Sequence, residues 1–193
     1  MNVGDLETTP RSSRAVFLDR DGTINVEVDY LDDPARCLLL PGVGEAIAKL
    51  NRAGIPVIVV TNQAGVGRGK FPPSAIDAVH HRLDELLAPF DAHVDAYYSC
   101  PHHPDDRCLC RKPLPGMLHE AAGTWEINLA RSFMIGDKVS DVEAGIAAGC
   151  RTGLVLTGYG TKNLAECRSR GIAPAFVAAD LAEAVAWIFS ASY

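Results

Sequence analysis

Ala15-Val16-Phe17-Leu18-Asp19-Arg20-Asp21-Gly22-Thr23 decides how the rest of the chain reads. Four apolar residues run into two carboxylates one residue apart, then Gly and Thr. An apolar run this short, closed by Asp and Gly, is the pattern of a strand buried on both faces. The carboxylates then stand at its C-terminal end, where open parallel sheets bind their ligands. Taken alone, the same residues also suit a plain strand-ending turn, because Asp and Gly are ordinary turn residues. The neighbouring segments separate the two readings.

Working outward, similar apolar runs recur at 56–61 (PVIVVT), 93–99 (HVDAYYS), 132–136 (SFMIG) and 152–157 (TGLVLT). Helix patterns lie between them. Residues 42–54 follow Pro41 and end in Gly54, and residues 72–88 open on Pro and stop before Pro89, the usual punctuation of helix ends. Further helices are expected at 115–126, 139–149 and 180–189. Strand and helix alternate, so the class is α/β: a single Rossmann-like three-layer α/β/α domain with a mainly parallel sheet. The 193 residues, 48% of them hydrophobic, suffice for one such domain and its core. Residues 1–13 are polar and rich in Thr and Ser, which predicts a disordered lead-in to a domain spanning 14–193. The tail from Thr157 is expected to add little chemistry, with a turn at 157–160 and a last helix that packs Trp187 and Phe189 into the core.

The residues that follow each run are rich in functional groups: Asp19 to Thr23, Thr61-Asn62-Gln63, Cys100-Pro101-His102 and Gly136-Asp137-Lys138. Two carboxylates at a buried strand end repel one another and are costly to desolvate, so Asp19 and Asp21 need a cation. Mg2+ takes hard oxygen ligands, and Asp137 at another strand end can bring a further carboxylate to the same point. Such a metal also neutralises a phosphate that would otherwise repel an anionic nucleophile. Asp141, one helical turn beyond Asp137, is placed to support that site from behind.

The order DRDGT, Thr61, Lys112, GDKVSD, spread from about Val16 to Gly149, resembles the sequence motifs of the haloacid dehalogenase superfamily. The resemblance implies a Mg2+-dependent phosphatase in which Asp19 attacks phosphorus and Asp21 serves first as acid and then as base. It implies that Thr61 hydrogen-bonds a transferring oxygen, that Lys112 brings positive charge, and that Asp19, the Asp21 main-chain carbonyl and Asp137 hold Mg2+. A carboxylate nucleophile divides hydrolysis into two easier steps.

Cys100-Pro-His102-His103-Pro-Asp-Asp-Arg-Cys108-Leu-Cys110 gathers three thiols and two imidazoles into eleven residues. Three Cys and one His make a closed tetrahedral Zn2+ site, structural because no position is open to water. Either histidine could complete it. The one-residue spacing of Cys108 and Cys110 recurs in Cys100 and His102, and the resembling family uses the first histidine, so His102 is selected. Cys37, Cys150 and Cys167 read as ordinary buried thiols. Clustered free thiols fit a reducing compartment, and the N-terminus lacks the basic-then-apolar order of a signal peptide, so a cytoplasmic protein is expected. No run approaches a membrane span.

With 18 Lys and Arg against 24 Asp and Glu, the formal charge is -6, which excludes a general nucleic-acid binder. The expected partner is a small phosphorylated sugar met by a monomer. Only about 20 residues separate Asp21 from Pro41, too few for an independent lid, so the site should be capless. DRDGTINVEVDY, TNQAGVGRGKF, CLCRKPLPGM and GDKVSDVEAGIAAG resemble the D-glycero-D-manno-heptose 1,7-bisphosphate 7-phosphatases. That resemblance implies removal of the C7 phosphate in nucleotide-heptose synthesis for surface polysaccharide such as lipopolysaccharide. It implies substrate contacts from Asp19 to Asp21, Glu27, Val28, Asp29, Tyr30, Thr61, Asn62, Gln63, Ala64, Arg111, Lys112 and Lys138. The zinc loop, with five residues between His102 and Cys108, is short and keeps the related histidinol-phosphate phosphatases open as an alternative. A silent zinc-stabilised binding module is a reading of another class.

Overall fold

The computed structural model describes residues 14–190. β1 (Val16–Leu18) lies between β2 (Val57–Asn62) and β4 (Phe133–Gly136). β3 (Ala96–Cys100), β5 (Arg151–Val155) and β6 (Phe176–Ala178) complete a six-stranded sheet in the order β3-β2-β1-β4-β5-β6. Every ladder is parallel.

The two-residue period of β1 sorts its side chains between two cores. Val16 and Leu18 face α1 (Val43–Arg52), α3 (Pro73–Leu87) and α7 (Leu181–Ser190), while Phe17 faces α4 (Gly116–Trp125). α5 (Val139–Ala147) joins that second face, and α6 (Gly160–Ser169) packs Cys167 against Leu154 and the α5 valines. The result is the three-layer α/β/α arrangement expected from a strand pattern buried on both faces.

Chain order reverses between β1 and β4, because β2 and β3 extend the sheet one way and β4 to β6 the other. Such a switch point opens a crevice at the strand C-termini. The Asp19 amide donates to the Ile135 carbonyl at 2.9 Å, so the first catalytic candidate is laced to the strand that carries the others. Between β1 and α1 the described residues form a 3-10 turn (Pro34–Arg36) and the isolated bridges Asp21–Asn25 and Asn25–Leu39. They build no separate cover over the crevice.

The five helices and five strands expected from sequence all occur, with ends shifted by a few residues. The lead-in expected at 1–13 lies outside the described residues. α6, β6 and the one-turn α2 (Ala64–Gly67) were not anticipated. α6 buries only Gly160 and Cys167 and so carries no apolar stripe, and β6 is three residues long. Trp187 packs as expected, stacked on Phe176 at 4.1 Å between ring centroids. Phe189 does not: it is 39% exposed beneath the Lys49 ammonium, off the face of α7 that buries Leu181, Ala184, Val185 and Ile188. No helix among the described residues is long and apolar enough to cross a membrane.

Candidate active site

The floor of the crevice is the turn that ends β1. The Arg20 carbonyl accepts from the amides of Thr23, Ile24 and Asn25 at 3.3, 2.8 and 3.2 Å, which winds the chain back under Asp19. Gly22 has φ +84°, and a Cβ there would collide with the Asp137 carboxylate. Only glycine gives both that backbone and that approach.

Lys112 is the buried cation that meets Asp19. Its Nζ donates to Asp19 Oδ1 at 2.9 Å and to the Val60 carbonyl at 2.7 Å, and pairs with Asp141 Oδ1 at 2.6 Å. Burial opposes its charge, but Asp141 and Asp19 outweigh burial and hold Lys112 above its ordinary range. Asp19 shows the reciprocal balance. Burial would raise its carboxyl, yet the Lys112 and Lys138 ammonium groups keep it below the usual carboxylate range. The ionised form is the one a nucleophile needs.

The Asn62 side chain brings Lys112 there. Its Nδ2 donates to the Lys112 carbonyl and its Oδ1 accepts the Lys112 amide, both at 3.0 Å. Asn62, expected to touch substrate, also clamps main chain 50 residues away, and it lines the same depression as Asp19 and Lys112. Gln63 donates from Nε2 to Asp21 Oδ2 at 3.0 Å and to Thr61 Oγ1 at 2.9 Å. With its oxygen thus engaged, the Thr61 hydroxyl hydrogen is left to donate. Asp19, Asp21, Thr61, Lys112, Lys138 and Ser140 line one small polar depression. Ser140 was missed in the sequence, although it lies inside GDKVSD between Asp137 and Asp141.

Asp19, Asp137 and Asp141 each offer an oxygen within 4.8 Å of the others. Asp137 is fully buried; its Oδ2 accepts the Tyr159 amide at 2.8 Å, and its Oδ1 has no hydrogen-bond partner. Burial, with the charge of Asp19 adding, pushes its carboxyl up to about 7. Three hard oxygen donors with an orphaned buried oxygen among them fit a Mg2+ site. Asp141 is engaged behind it by Lys112 and by the Lys138 amide, at 3.0 Å from Oδ2. Tyr159, with the Thr157 hydroxyl that donates to the Gly22 carbonyl at 2.6 Å, corrects the expectation that the tail adds little. That loop closes onto Gly22 and Asp137.

The remaining substrate candidates disperse around the rim. Lys138 Nζ reaches Glu27 Oε2 at 3.0 Å and stands 3.8 Å from Asp19 Oδ2 and 3.7 Å from Asp137 Oδ1. Tyr30, with φ 53°, presents its ring to the Lys70 ammonium at 4.5 Å, so the loops after β1 and β2 meet. Val28 leans on the core, Asp29 is exposed and Ala64 opens α2. Arg111 borders a second depression with Arg107 and Cys108, its Nη1 buried and without a hydrogen-bond partner.

The thiol cluster has tetrahedral proportions. Cys100 Sγ lies 3.5 Å from Cys108 Sγ and 3.6 Å from His102 Nδ1. Cys110 Sγ lies 3.2 Å from His102 Nδ1 and 3.6 Å from Cys108 Sγ. A tetrahedron with Zn–S of about 2.3 Å has edges of roughly 3.7 Å. Burial and the neighbouring Cys100 and Cys108 thiols push Cys110 up to about 12, so three thiolates can coexist only around a cation. His103 stands outside: its Nδ1 accepts the Asp105 amide at 3.2 Å and its amide donates to Asp106 at 2.8 Å, capping the 3-10 turn Pro104–Asp106. The Gly67 amide donates to the Pro101 carbonyl at 2.8 Å, and a Cβ on Gly67 would collide with the main chain of His102 and His103. The cluster is thereby keyed to the loop after β2.

A family model described as HAD-hydrolase-like matches residues 109–184. The D-glycero-beta-D-manno-heptose-1,7-bisphosphate 7-phosphatase of Bordetella bronchiseptica is 42% identical over 154 residues, 79% of this chain and 86% of that protein. The D-glycero-D-manno-heptose-1,7-bisphosphate 7-phosphatase of Thermosynechococcus vestitus is 40% identical over 185 residues, 90% of this chain and 94% of that one. Among solved structures, the D,D-heptose 1,7-bisphosphate phosphatase from B. bronchiseptica, complexed with magnesium and phosphate, superposes with TM-score 0.87. It is 38% identical and covers 93% of this chain and 99% of its own.

Proposed function

Because this chain belongs to the D-glycero-D-manno-heptose 1,7-bisphosphate 7-phosphatase family of haloacid dehalogenase-like hydrolases, we propose that it hydrolyses the C7 phosphate of that heptose bisphosphate through an aspartyl-phosphate. The observation that carries the reading is the ionised Asp19, gripped by Lys112 Nζ at 2.9 Å beside Asp137 Oδ1, which is buried without a hydrogen-bond partner.

An oxygen of Asp19 attacks phosphorus as the bond to the sugar oxygen breaks, and the Asp21 carboxyl protonates that departing oxygen. Water then attacks the phosphoryl group, Asp21 takes its proton, and the bond to Asp19 breaks to release phosphate. The Thr61 hydroxyl donates to a phosphoryl oxygen, while Lys112 keeps Asp19 ionised and oriented. Asp19, the Asp21 carbonyl and Asp137 would hold Mg2+, which when bound would supply the positive charge that lets an anion approach a phosphate. Glu27, Tyr30, Ala64, Arg111 and Lys138 are read as the wall around the sugar. Cys100, His102, Cys108 and Cys110 would hold Zn2+, which would fix the loop that delivers Arg111 and Lys112. All these groups come from one chain, which supports a monomer, and a thiolate site needs reduced cysteines, which supports the cytoplasm.

The direct test compares heptose 1,7-bisphosphate with histidinol phosphate, each with Mg2+ and with a chelator. The expected result is Mg2+-dependent release of one phosphate from the heptose compound, leaving the 1-phosphate. A strong preference for histidinol phosphate would move the enzyme to histidine biosynthesis. No activity on either, or on a wider sugar-phosphate panel, would leave a binding module. Phosphate appearing on a second sugar would indicate a phosphotransferase.

A further inference from the structure

Arg20 has no exposed surface, and no other arginine among the described residues is buried. A buried guanidinium costs several kcal/mol unless it is paired with good geometry. Its side-chain hydrogen bonds all run to one residue, and that residue is Asp21. Nε donates to Asp21 Oδ1 at 3.2 Å, and Nη2 donates to Oδ1 at 3.1 Å and to Oδ2 at 2.9 Å. Asn25 Nδ2 reaches Oδ1 at 2.9 Å and Gln63 Nε2 reaches Oδ2 at 3.0 Å.

We propose that Arg20 is a positioning residue for Asp21: its guanidinium fork holds the carboxylate at the angle from which protons pass to the leaving oxygen and later from water. The inference rests on the acid-base reading of Asp21 given above. A fork approaching both carboxylate oxygens fixes a torsion that a single point charge cannot fix. The main chain of the same residue reinforces it, since the Arg20 carbonyl gathers three amides of the turn that carries Asp21.

The surroundings leave Asp21 as the counter-ion. His80 of α3 lies within the influence of Arg20; burial, with the arginine charge adding, pushes its imidazole down to about 3, so it is neutral. His80 Nε2 and Arg20 Nη1 are both buried without a hydrogen-bond partner. Gln63 then ties Asp21 to Thr61, so the proton-transfer group and the phosphoryl-binding hydroxyl are held in register.

The test uses Arg20→Lys and Arg20→Gln in the full chain, beside Asp21→Asn, with two substrates. Heptose bisphosphate expels an alkoxide that needs a proton; p-nitrophenyl phosphate expels a phenolate that does not. Arg20→Lys with a native circular dichroism spectrum is expected to lose about 10²-fold in kcat on the sugar phosphate with KM unchanged. On the aryl phosphate, rapid mixing should show a burst of one phenolate per enzyme and then slow turnover, as water activation becomes limiting. A general loosening of the site would lower both substrates together and give no burst, and that result, or an unchanged kcat, overturns the proposal. If Asp21→Asn shows the burst and the Arg20 variants do not, the positioning role fails and the acid-base reading stands. If Asp21→Asn shows none, both fail. Should neither Arg20 variant fold, the Arg20 Nε–H resonance of the 15N-labelled wild-type protein is expected to shift in Asp21→Asn, and no shift overturns the proposal.

Discussion

At the scale of single residues, the account turns on where charge is buried and what meets it. Asp19→Asn removes the nucleophile and should lower kcat on the order of 10⁴-fold or more with the fold retained; steady-state kinetics on a folded variant checks this. Lys112→Met leaves Asp19 and Asp141 buried without their shared cation. It should cost about 3–5 kcal/mol in chemical denaturation as well as activity. His80 gives a pH prediction with a definite sign. Its imidazole is pushed down from 6.5 to about 3 by burial and then by Arg20, so between those values the unfolded chain binds a proton that the folded protein refuses. Stability is full above the upper value and falls with pH toward the lower one, by at most about 1.4 kcal/mol per pH unit. His80→Phe keeps a ring on Tyr97, stacked at 4.1 Å in the native protein, and should flatten that slope in denaturation curves recorded from acid to neutral pH.

At the scale of elements, the strands, the major helices and the zinc loop were legible because each announces itself locally. Three of the five apolar runs end in Asp or Thr, the first two helices are bracketed by Pro or Gly, and the ligands of the thiol cluster fall within eleven residues. What stayed hidden depends on partners distant in sequence. Nothing around Asn62 reveals that its amide clamps Lys112, and nothing in TGYG reveals that Tyr159 caps Asp137. α6 is polar almost throughout, and its place is set by packing Cys167 on α5 and β5. The junction of α2 with the zinc loop yields a prediction of its own. Gly67→Ala forces a Cβ into the main chain of His102 and His103. It should weaken zinc retention and activity together, read by metal analysis and phosphate release. Cys108→Ser should do the same with a lower melting temperature, and an unchanged melt with full zinc would remove the structural role of the cluster.

For the whole molecule, the strand order makes the site. Reversal between β1 and β4 places Asp19 and Asp137 on adjacent strand ends, and the end of β2 and the loop after β3 bring Thr61 and Lys112 to the same depression. The described residues build no cover over it, so an extended sugar bisphosphate can bind with one phosphate at Asp19 and the rest along the rim. The central claim is that hydrolysis passes through a phosphoryl group on Asp19. Acid-quenched mass spectrometry of the wild-type protein, sampled within a single turnover of heptose 1,7-bisphosphate with Mg2+, tests it directly. The account predicts one added phosphoryl group on the peptide carrying Asp19, appearing and decaying as phosphate is released. Phosphate release with no modified peptide at any quench time, or a phosphoryl group on another residue, would contradict it.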